Sequence, residues 1–122
     1  MPNRRKIIAG NWKMHKTPAE AVAFANKIKD ACKCVDRDIV FCVPYVSLQG
    51  VMDALKDTGD AKIFVGAQNM HYREFGACTG EISGGMLTDM GVPYVIIGHS
   101  ERRADQGETD EMVNLKTLRA LE

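Results

Sequence analysis

The sequence lacks both net charge and any long hydrophobic run. Its 16 lysines and arginines are balanced by 16 aspartates and glutamates, so no overall field draws the chain to nucleic acid or to an anionic membrane. Its apolar runs are much shorter than the roughly 20 residues that span a bilayer. The opening stretch, MPNRRKIIAGNW, has no cleavage pattern of an export signal. We therefore predict a cytoplasmic chain with no nucleic-acid partner and no membrane partner.

Cysteines and histidines are too few and too scattered to predict a metal site or a disulfide framework. Without an export signal, the cysteines are expected to be reduced thiols. One pair forms a C-x-C motif, but no second close pair completes a structural zinc site, and His15 and His71 stand apart from it. We predict no metal and no cofactor. The four cysteines are Cys32, Cys34, Cys42 and Cys78.

Strand patterns and helix patterns alternate along the whole chain. Because the strand segments are apolar on both faces, the alternation is typical of a parallel sheet covered by helices. We expect one domain over residues 1–122 with no internal boundary. The predicted strands are Lys6–Asn11, 39–43, 62–67 and 92–98, and the predicted helices are 17–31, 47–56, 83–90 and a last helix capped by Thr109.

Three of the predicted helices carry an apolar stripe that is expected to face the core. Residues 68–81 have no such period, and they form a loop longer than a link between a strand and a helix requires, which predicts a function for the loop. The stripes comprise Val22, Ala25, Ile28 and Ala31 in the first helix, Leu48, Val51, Met52 and Leu55 in the second, and Met112, Leu115, Leu118 and Leu121 in the last.

Polar residues follow the first and the fourth predicted strands directly. Asn11 and Lys13 end the first strand, and His99 follows the fourth. Ligands of parallel α/β folds gather at the carboxyl ends of strands, so we expect these side chains to meet. A neutral imidazole and an ammonium can both stabilise negative charge developing on a carbonyl oxygen. The pair therefore favours enolate or enediolate chemistry.

Ser100 to Arg103 are expected to begin a short helix after His99. The positive end of its dipole disfavours the imidazolium and keeps the His99 ring neutral. Glu101 stands beside Arg102 and Arg103, which predicts an ion pair that fixes the turn. A second role for Glu101, as an acid or base, remains an alternative.

Four motifs, in this order and spacing, resemble the triosephosphate isomerase family. They are AGNWKMH (9–15), GAQNMH (66–71), GACTGEIS (76–83) and IIGHSERR (96–103). The resemblance implies the first four β/α units of a TIM (β/α)8 barrel. It also implies a glycolytic and gluconeogenic isomerase that interconverts dihydroxyacetone phosphate and glyceraldehyde 3-phosphate through an enediolate.

The resemblance also assigns roles to residues. It implies that Asn11 and Lys13 bind the small phosphorylated triose, that His99 and Lys13 are catalytic, and that Ser100 and Glu101 support the site. The family is itself a standard example of a neutral histidine electrophile that works with a glutamate base, and these roles follow from that example.

The same resemblance implies a homodimer. Its interface would include the loop 68–81, with Gln68 and Glu81 in it and with Thr79 at the loop tip reaching toward the partner's active site. Met14 is expected to lie under that loop. This interface would explain the unusual length of the third loop.

Members of the family are roughly twice as long as this chain, and their proton-abstracting glutamate and lid lie in the second half. The resemblance therefore implies that the 122 residues alone are inactive. Three accounts remain open: part of a full isomerase, a fragment that pairs with a complementing C-terminal half-barrel, or a non-catalytic fragment that self-associates as an assembly module. A doubly wound nucleotide-binding or receiver-like module is disfavoured, because AGNWKMH has only one glycine where a glycine-rich phosphate loop would stand.

Overall fold

The strands of this protein lie side by side in the order in which they occur in the sequence. A computed structural model describes residues 4–33, 36–59 and 61–122; Cys34, and with it the C-x-C pair, lies outside the described residues. The strands are β1 (Lys6–Asn11), β2 (Arg37–Val43), β3 (Ile63–Ala67) and β4 (Tyr94–Val95), all parallel and in the order β1-β2-β3-β4. Each new strand is added on the same side, so the described sheet has no reversal of strand order of the kind that defines a doubly wound fold.

Five helices connect or follow the strands within the described ranges. They are α1 (Pro18–Ile28), α2 (Tyr45–Ala54), α3 (Gly84–Met90), α4 (Ser100–Asp105) and α5 (Asp110–Ala120). The predicted alternation is confirmed, and the fourth unit contains two helices. None of the described helices has the length and apolar character needed to cross a bilayer.

Some predicted boundaries are wrong, for local reasons. The second helix begins at Tyr45 because Pro44, with φ −54°, already has a torsion that suits a helix start; Ser47, predicted as its first residue, lies buried inside it. The fourth strand was predicted over 92–98, but only Tyr94 and Val95 pair with β3. Pro93 has no N–H to donate, so the ladder cannot extend back through it.

The sheet curls into a half-barrel with the helices outside. Tyr94 on β4 donates a hydrogen bond to Asp38 on β2, across the intervening strand β3. Arg5, just before β1, binds the same carboxylate. A Cβ at Gly66 on β3 would come within 2.9 Å of the Sγ of Cys42 and 3.3 Å of the Cβ of Tyr94. The concave face therefore has room for only a hydrogen at that point.

The core lies between the convex face of the sheet and the helices. The predicted stripe of α2 is confirmed, since Leu48, Val51 and Leu55 are buried. On α1 the buried residues are Ala21 and Ala25, so the face that packs is shifted from the predicted one. The aromatic rings of Trp12, Phe24 and Phe41 pack edge to face or tilted, with centroids 5.2 to 6.0 Å apart, and cover the end of β1.

The prediction for the last helix is wrong. Leu115, Leu118 and Leu121 are exposed by 39%, 53% and 80%, whereas Lys116 is 2% exposed. Helix α5 is attached to the rest of the chain through polar contacts: Lys116 binds two partners, and Arg119 donates to the carbonyl of Tyr72 at 3.1 Å. The stripe faces solvent because these contacts turn the polar side of the helix inward.

Candidate active site

The polar residues at the ends of the strands meet in one cleft of about 410 Å³. Its walls include Asn11 at the end of β1, Lys13 just after it, Gln68 after β3, and His99 and Glu101 after β4. A larger cavity of about 620 Å³ lies between α3 and α5. That cavity is lined by none of the predicted site residues, so the chemistry points to the smaller cleft.

The backbone at the end of β4 turns sharply to present His99. Gly98 has φ +70°, and a Cβ there would come within 2.9 Å of the Cγ1 of Val113. Only glycine meets both conditions without strain. The turn places His99 at the N-cap of α4.

The imidazole of His99 has a defined hydrogen-bond pattern. Its Nδ1 accepts a hydrogen bond from the backbone N–H of Glu101 at 3.1 Å. An accepting Nδ1 carries no hydrogen, which assigns the neutral tautomer with the hydrogen on Nε2. The side chain is 28% exposed, so His99 can offer the Nε2–H group to a ligand.

Lys13 reaches the same place from β1. Its backbone is left-handed, with φ 55°, and its N–H donates to the Oδ1 of Asn11 at 2.9 Å. Its Nζ lies 2.6 Å from the Oε1 of Glu101, and the other carboxylate oxygen of Glu101 lies 3.8 Å from the Nδ1 of His99. Lys13 and His99 are thus brought together around one carboxylate.

Glu101 has a different partner from the one the sequence predicted. The hydrogen bond from Lys13 lowers the pKa of Glu101, and the positive charge of Lys13 acts in the same direction. Arg102 pairs with Glu108 at 2.9 Å and Arg103 with Asp110 at 2.5 Å. The predicted ion pair of Glu101 with its neighbours is therefore wrong, because both arginines pair with other carboxylates.

A buried charged cluster supports the cleft from behind, and no motif in the sequence predicted it. Glu108 and Lys116, with side chains 1% and 2% exposed, form an ion pair at 2.8 Å. Lys116 also donates to the Oδ1 of Asn69 at 2.9 Å, and Arg102 donates to Glu108. Burial raises the pKa of Glu108, but the hydrogen bonds from Lys116 and Arg102 outweigh it and lower the pKa overall. Arg102 and Asn69 in turn line the cleft.

Tyr45 at the start of α2 completes this support. Its hydroxyl donates to the carbonyl of Asn69 at 2.6 Å. Burial, with a smaller contribution from the negative charge of Glu81, raises the pKa of Tyr45 to about 12. The phenol is therefore a neutral donor at physiological pH, and Asn69 is held through both its backbone and its side chain.

Comparison with known proteins identifies the family of this chain. The sequence profile of one family, triosephosphate isomerase, matches residues 6–122. The chain belongs to the triosephosphate isomerase family. It is 52% identical over 119 residues to the triosephosphate isomerase of Alkaliphilus metalliredigens, a match that covers 98% of this chain and 47% of that relative.

Two other triosephosphate isomerases show the same relation. Identity is 55% over 114 residues with the protein of Acetivibrio thermocellus, covering 93% of this chain and 44% of the relative. Identity is 54% over 119 residues with the protein of Gloeothece citriformis, a match that covers 96% of this chain and 48% of that relative. The chain therefore spans about half the length of the curated relatives that it matches.

The loop that the triosephosphate isomerase resemblance assigns to a dimer interface projects from the half-barrel. Thr79 and Glu81 are exposed, and Glu81 lies 3.4 Å from the Nδ1 of His71. Met14 is 93% exposed, so its expected contact with the loop is a prediction about a second subunit. Gln68 already donates two hydrogen bonds within this chain.

The described residues offer no metal site. Across residues 4–33, 36–59 and 61–122, no group of three or more His, Cys, Asp or Glu side chains is arranged to hold a metal ion. Burial raises the pKa of the Cys42 thiol, which favours its neutral form. The side chains that face the cleft are suited to hydrogen bonding and to charge stabilisation.

Proposed function

We propose that this chain provides the electrophilic half of a triosephosphate isomerase site, which interconverts dihydroxyacetone phosphate and glyceraldehyde 3-phosphate. One observation carries the proposal: Lys13, which follows β1, and His99, which follows β4, both approach Glu101 in one cleft. In this proposal residues 1–122 are the amino-terminal half of a single barrel domain, and the protein acts in the cytoplasm without a cofactor.

Each group has a role that its geometry supports. The Nε2–H of His99 donates to the substrate carbonyl oxygen as negative charge develops on it. The ammonium of Lys13 stabilises the same charge, and Asn11 holds both the Lys13 backbone and the substrate. Such preorganised donors typically contribute about 10² to 10³ in rate each.

Glu101 and Ser100 act as supporting residues. The Lys13–Glu101 pair is about half exposed, and exposed ion pairs are weak. An incoming phosphorylated triose, which is more highly charged than a single carboxylate, can therefore take over Lys13. Ser100 opens α4 directly after His99 and helps to set the turn.

The proton-abstracting base is assigned to the part of the family that this chain does not span. A positioned general base contributes about 10² to 10⁴ in rate, so we expect negligible turnover from these 122 residues alone. The proposed partners are a complementing C-terminal half-barrel, in the same or in another chain, and a second subunit that contacts Met14, Gln68, Thr79 and Glu81.

The test joins this chain to the remaining carboxyl-terminal part of the Alkaliphilus metalliredigens relative and measures triose phosphate interconversion. The fusion is expected to be active and the 122-residue chain inactive. In the fusion, Lys13→Met and His99→Gln should each lower kcat by about 10² to 10³. Lys56→Met, which alters an exposed lysine just after α2, is the matched control. Full activity of either site variant, or turnover by the isolated chain, would contradict the assignment.

A second candidate is a non-catalytic, self-associating half-barrel. Ile7 and Ile8 on β1 are 54% and 53% exposed, and no strand of the described residues pairs with the outer edge of β1. Open edges of this kind recruit other strands. Light scattering separates the candidates, because a stable multiple of 13.5 kDa together with an inactive fusion would favour the assembly module.

A further inference from the structure

The backbone of Lys13 adopts a conformation that its side chain disfavours. Its φ of 55° lies in the left-handed region, which costs a residue with a Cβ roughly 1–2 kcal/mol. Such a conformation persists only where the surroundings fix it. The groups that fix it therefore also determine the direction in which the ammonium points.

Two hydrogen bonds hold the Lys13 backbone, one local and one from a residue far away in the sequence. The Lys13 N–H bonds locally to Asn11. Its carbonyl accepts a hydrogen bond from the Nε2 of Gln68 at 2.9 Å, across 55 positions of sequence. The same Nε2 donates to the carbonyl of Cys42 at 2.9 Å, and that oxygen also accepts from the N–H of Trp12. Gln68 thus ties the loop after β1 to the end of β2.

We propose that Gln68 is a positioning residue for Lys13: its amide nitrogen, bound to the carbonyls of Lys13 and Cys42, holds the left-handed turn from which the Lys13 ammonium reaches the cleft. This role lies within the chain, in addition to the interface role that the family resemblance implies. Its importance for catalysis rests on the function proposed above, whereas the geometric claim can be tested without any activity.

The chemistry of the contact requires a glutamine. Both acceptors are carbonyl oxygens, and one nitrogen supplies both hydrogens. An ionised glutamate has no hydrogen to donate, and the amide of asparagine is one methylene shorter. The attachment point is also fixed, because the next residue, Asn69, is held by Tyr45 at 2.6 Å and by Lys116 at 2.9 Å. Gln68 therefore forms a fixed link between the end of β3 and the loop after β1.

The test follows the carboxyl group of Glu101 by NMR titration of the 122-residue chain. Glu101 faces two titratable groups, Lys13 and His99, and the hydrogen bond from Lys13 is the main cause of its lowered pKa. A Lys13→Met variant defines the titration of Glu101 without that bond. If Gln68 positions Lys13, Gln68→Met should move the Glu101 midpoint upward by most of the same amount.

The controls separate positioning from a general loss of structure. Gln49→Met removes a similar amide bond, from Gln49 to Asp53 on the surface of α2, and should leave the Glu101 midpoint unchanged. Gln68→Asn, which keeps an amide but loses reach, is the second variant if Gln68→Met does not fold, and the same upward shift is expected. A folded Gln68 variant in which Glu101 titrates as in the parent would overturn the proposal.

The two proposals fail in different ways. In the active fusion, Gln68→Met should lower kcat, and it should shift the Glu101 titration as in the isolated chain. An inactive fusion whose Glu101 still responds to Gln68 would remove the proposed isomerase function and leave the positioning role intact.

Discussion

Two ion pairs stand at the same end of the sheet, and they differ sharply in burial. Glu108 and Lys116 are almost completely buried, and both have further hydrogen-bond partners. Lys13 and Glu101 are about half exposed and bind each other at the mouth of the cleft. The buried pair fixes helices and loops, whereas the exposed pair can open. This difference separates the groups that hold the site from the groups that a ligand can engage.

The largest expected effect is on the buried pair. Lys116→Met leaves the buried Glu108 carboxylate with Arg102 as its remaining charged partner. Breaking a buried pair typically costs about 3–5 kcal/mol of unfolding free energy when the remaining charge is uncompensated, and this range is the upper bound expected here. Urea unfolding of the variant and the parent measures it. Lys56→Met, which breaks an exposed pair with Asp53, is the control and should unfold like the parent. Equal effects of the two variants would erase the distinction between buried and exposed pairs.

The second largest effect is expected on the stability of the fold at acidic pH. Hydrogen bonds from Lys116 and Arg102 outweigh the opposing effect of burial and hold the pKa of Glu108 below its ordinary value of 4.5. The folded state therefore binds fewer protons than the unfolded state below that pH, so the stabilisation is present above pH 4.5 and is lost as the pH falls through the folded pKa. The urea concentration at the unfolding midpoint, measured at a series of pH values from neutral downward, should decrease once the pH falls below 4.5.

The Glu108→Gln variant checks that assignment. It should be less stable than the parent at neutral pH, because Lys116 then lacks a charged partner, and its stability should depend less on pH below 4.5. An acid dependence as steep as that of the parent would show that other carboxyl groups cause it.

A smaller effect is expected at Tyr45. Tyr45→Phe removes the hydroxyl that donates to the carbonyl of Asn69 and keeps the ring, so the loss should be about 1 kcal/mol, as for one neutral hydrogen bond. Urea unfolding measures this value against the parent. A loss as large as that of Lys116→Met would place the main support of Asn69 at its backbone instead of its side chain.

The smallest effect on stability is expected at the exposed pair. Glu101→Gln removes the same charge as Glu108→Gln, but water replaces the lost partner, so the unfolding midpoint should stay unchanged. Running both glutamine variants side by side is the sharpest form of the comparison. A clear loss of stability from Glu101→Gln would mean that the pair at the cleft is also structural.

Local sequence signals predicted the elements and the rim of the site well. Thr17 and Glu20 form the expected capping box, with bonds of 3.3 and 3.0 Å. Asn11, Lys13 and His99 were expected to meet because the carboxyl ends of parallel strands share one edge of a sheet, and they line one cleft. These predictions needed only the hydrophobic periodicity of each segment and the order of the segments in the chain.

Contacts set by tertiary structure could not be predicted in the same way. Glu101 was paired with its sequence neighbours, but successive residues on a helix point in different directions, and the true partner, Lys13, lies in the loop after β1. The stripe of α5 looks identical in sequence whether it faces a core or solvent. Lys116, the residue of α5 that is buried, is polar, and its partners Asn69 and Glu108 become visible only after the chain has folded.

Gly66 on β3 influences residues that it does not contact, because it affects the bend of the sheet. The bend of the sheet depends on the space that this residue leaves between Cys42 and Tyr94. The amine of Lys13 and the imidazole of His99 follow the two outermost strands of the described sheet, so their separation depends on the bend. A methyl group added at Gly66 is expected to straighten the sheet and to move the two groups apart without contacting either of them. The spacing of Lys13 and His99 thus depends partly on a residue that has no side chain.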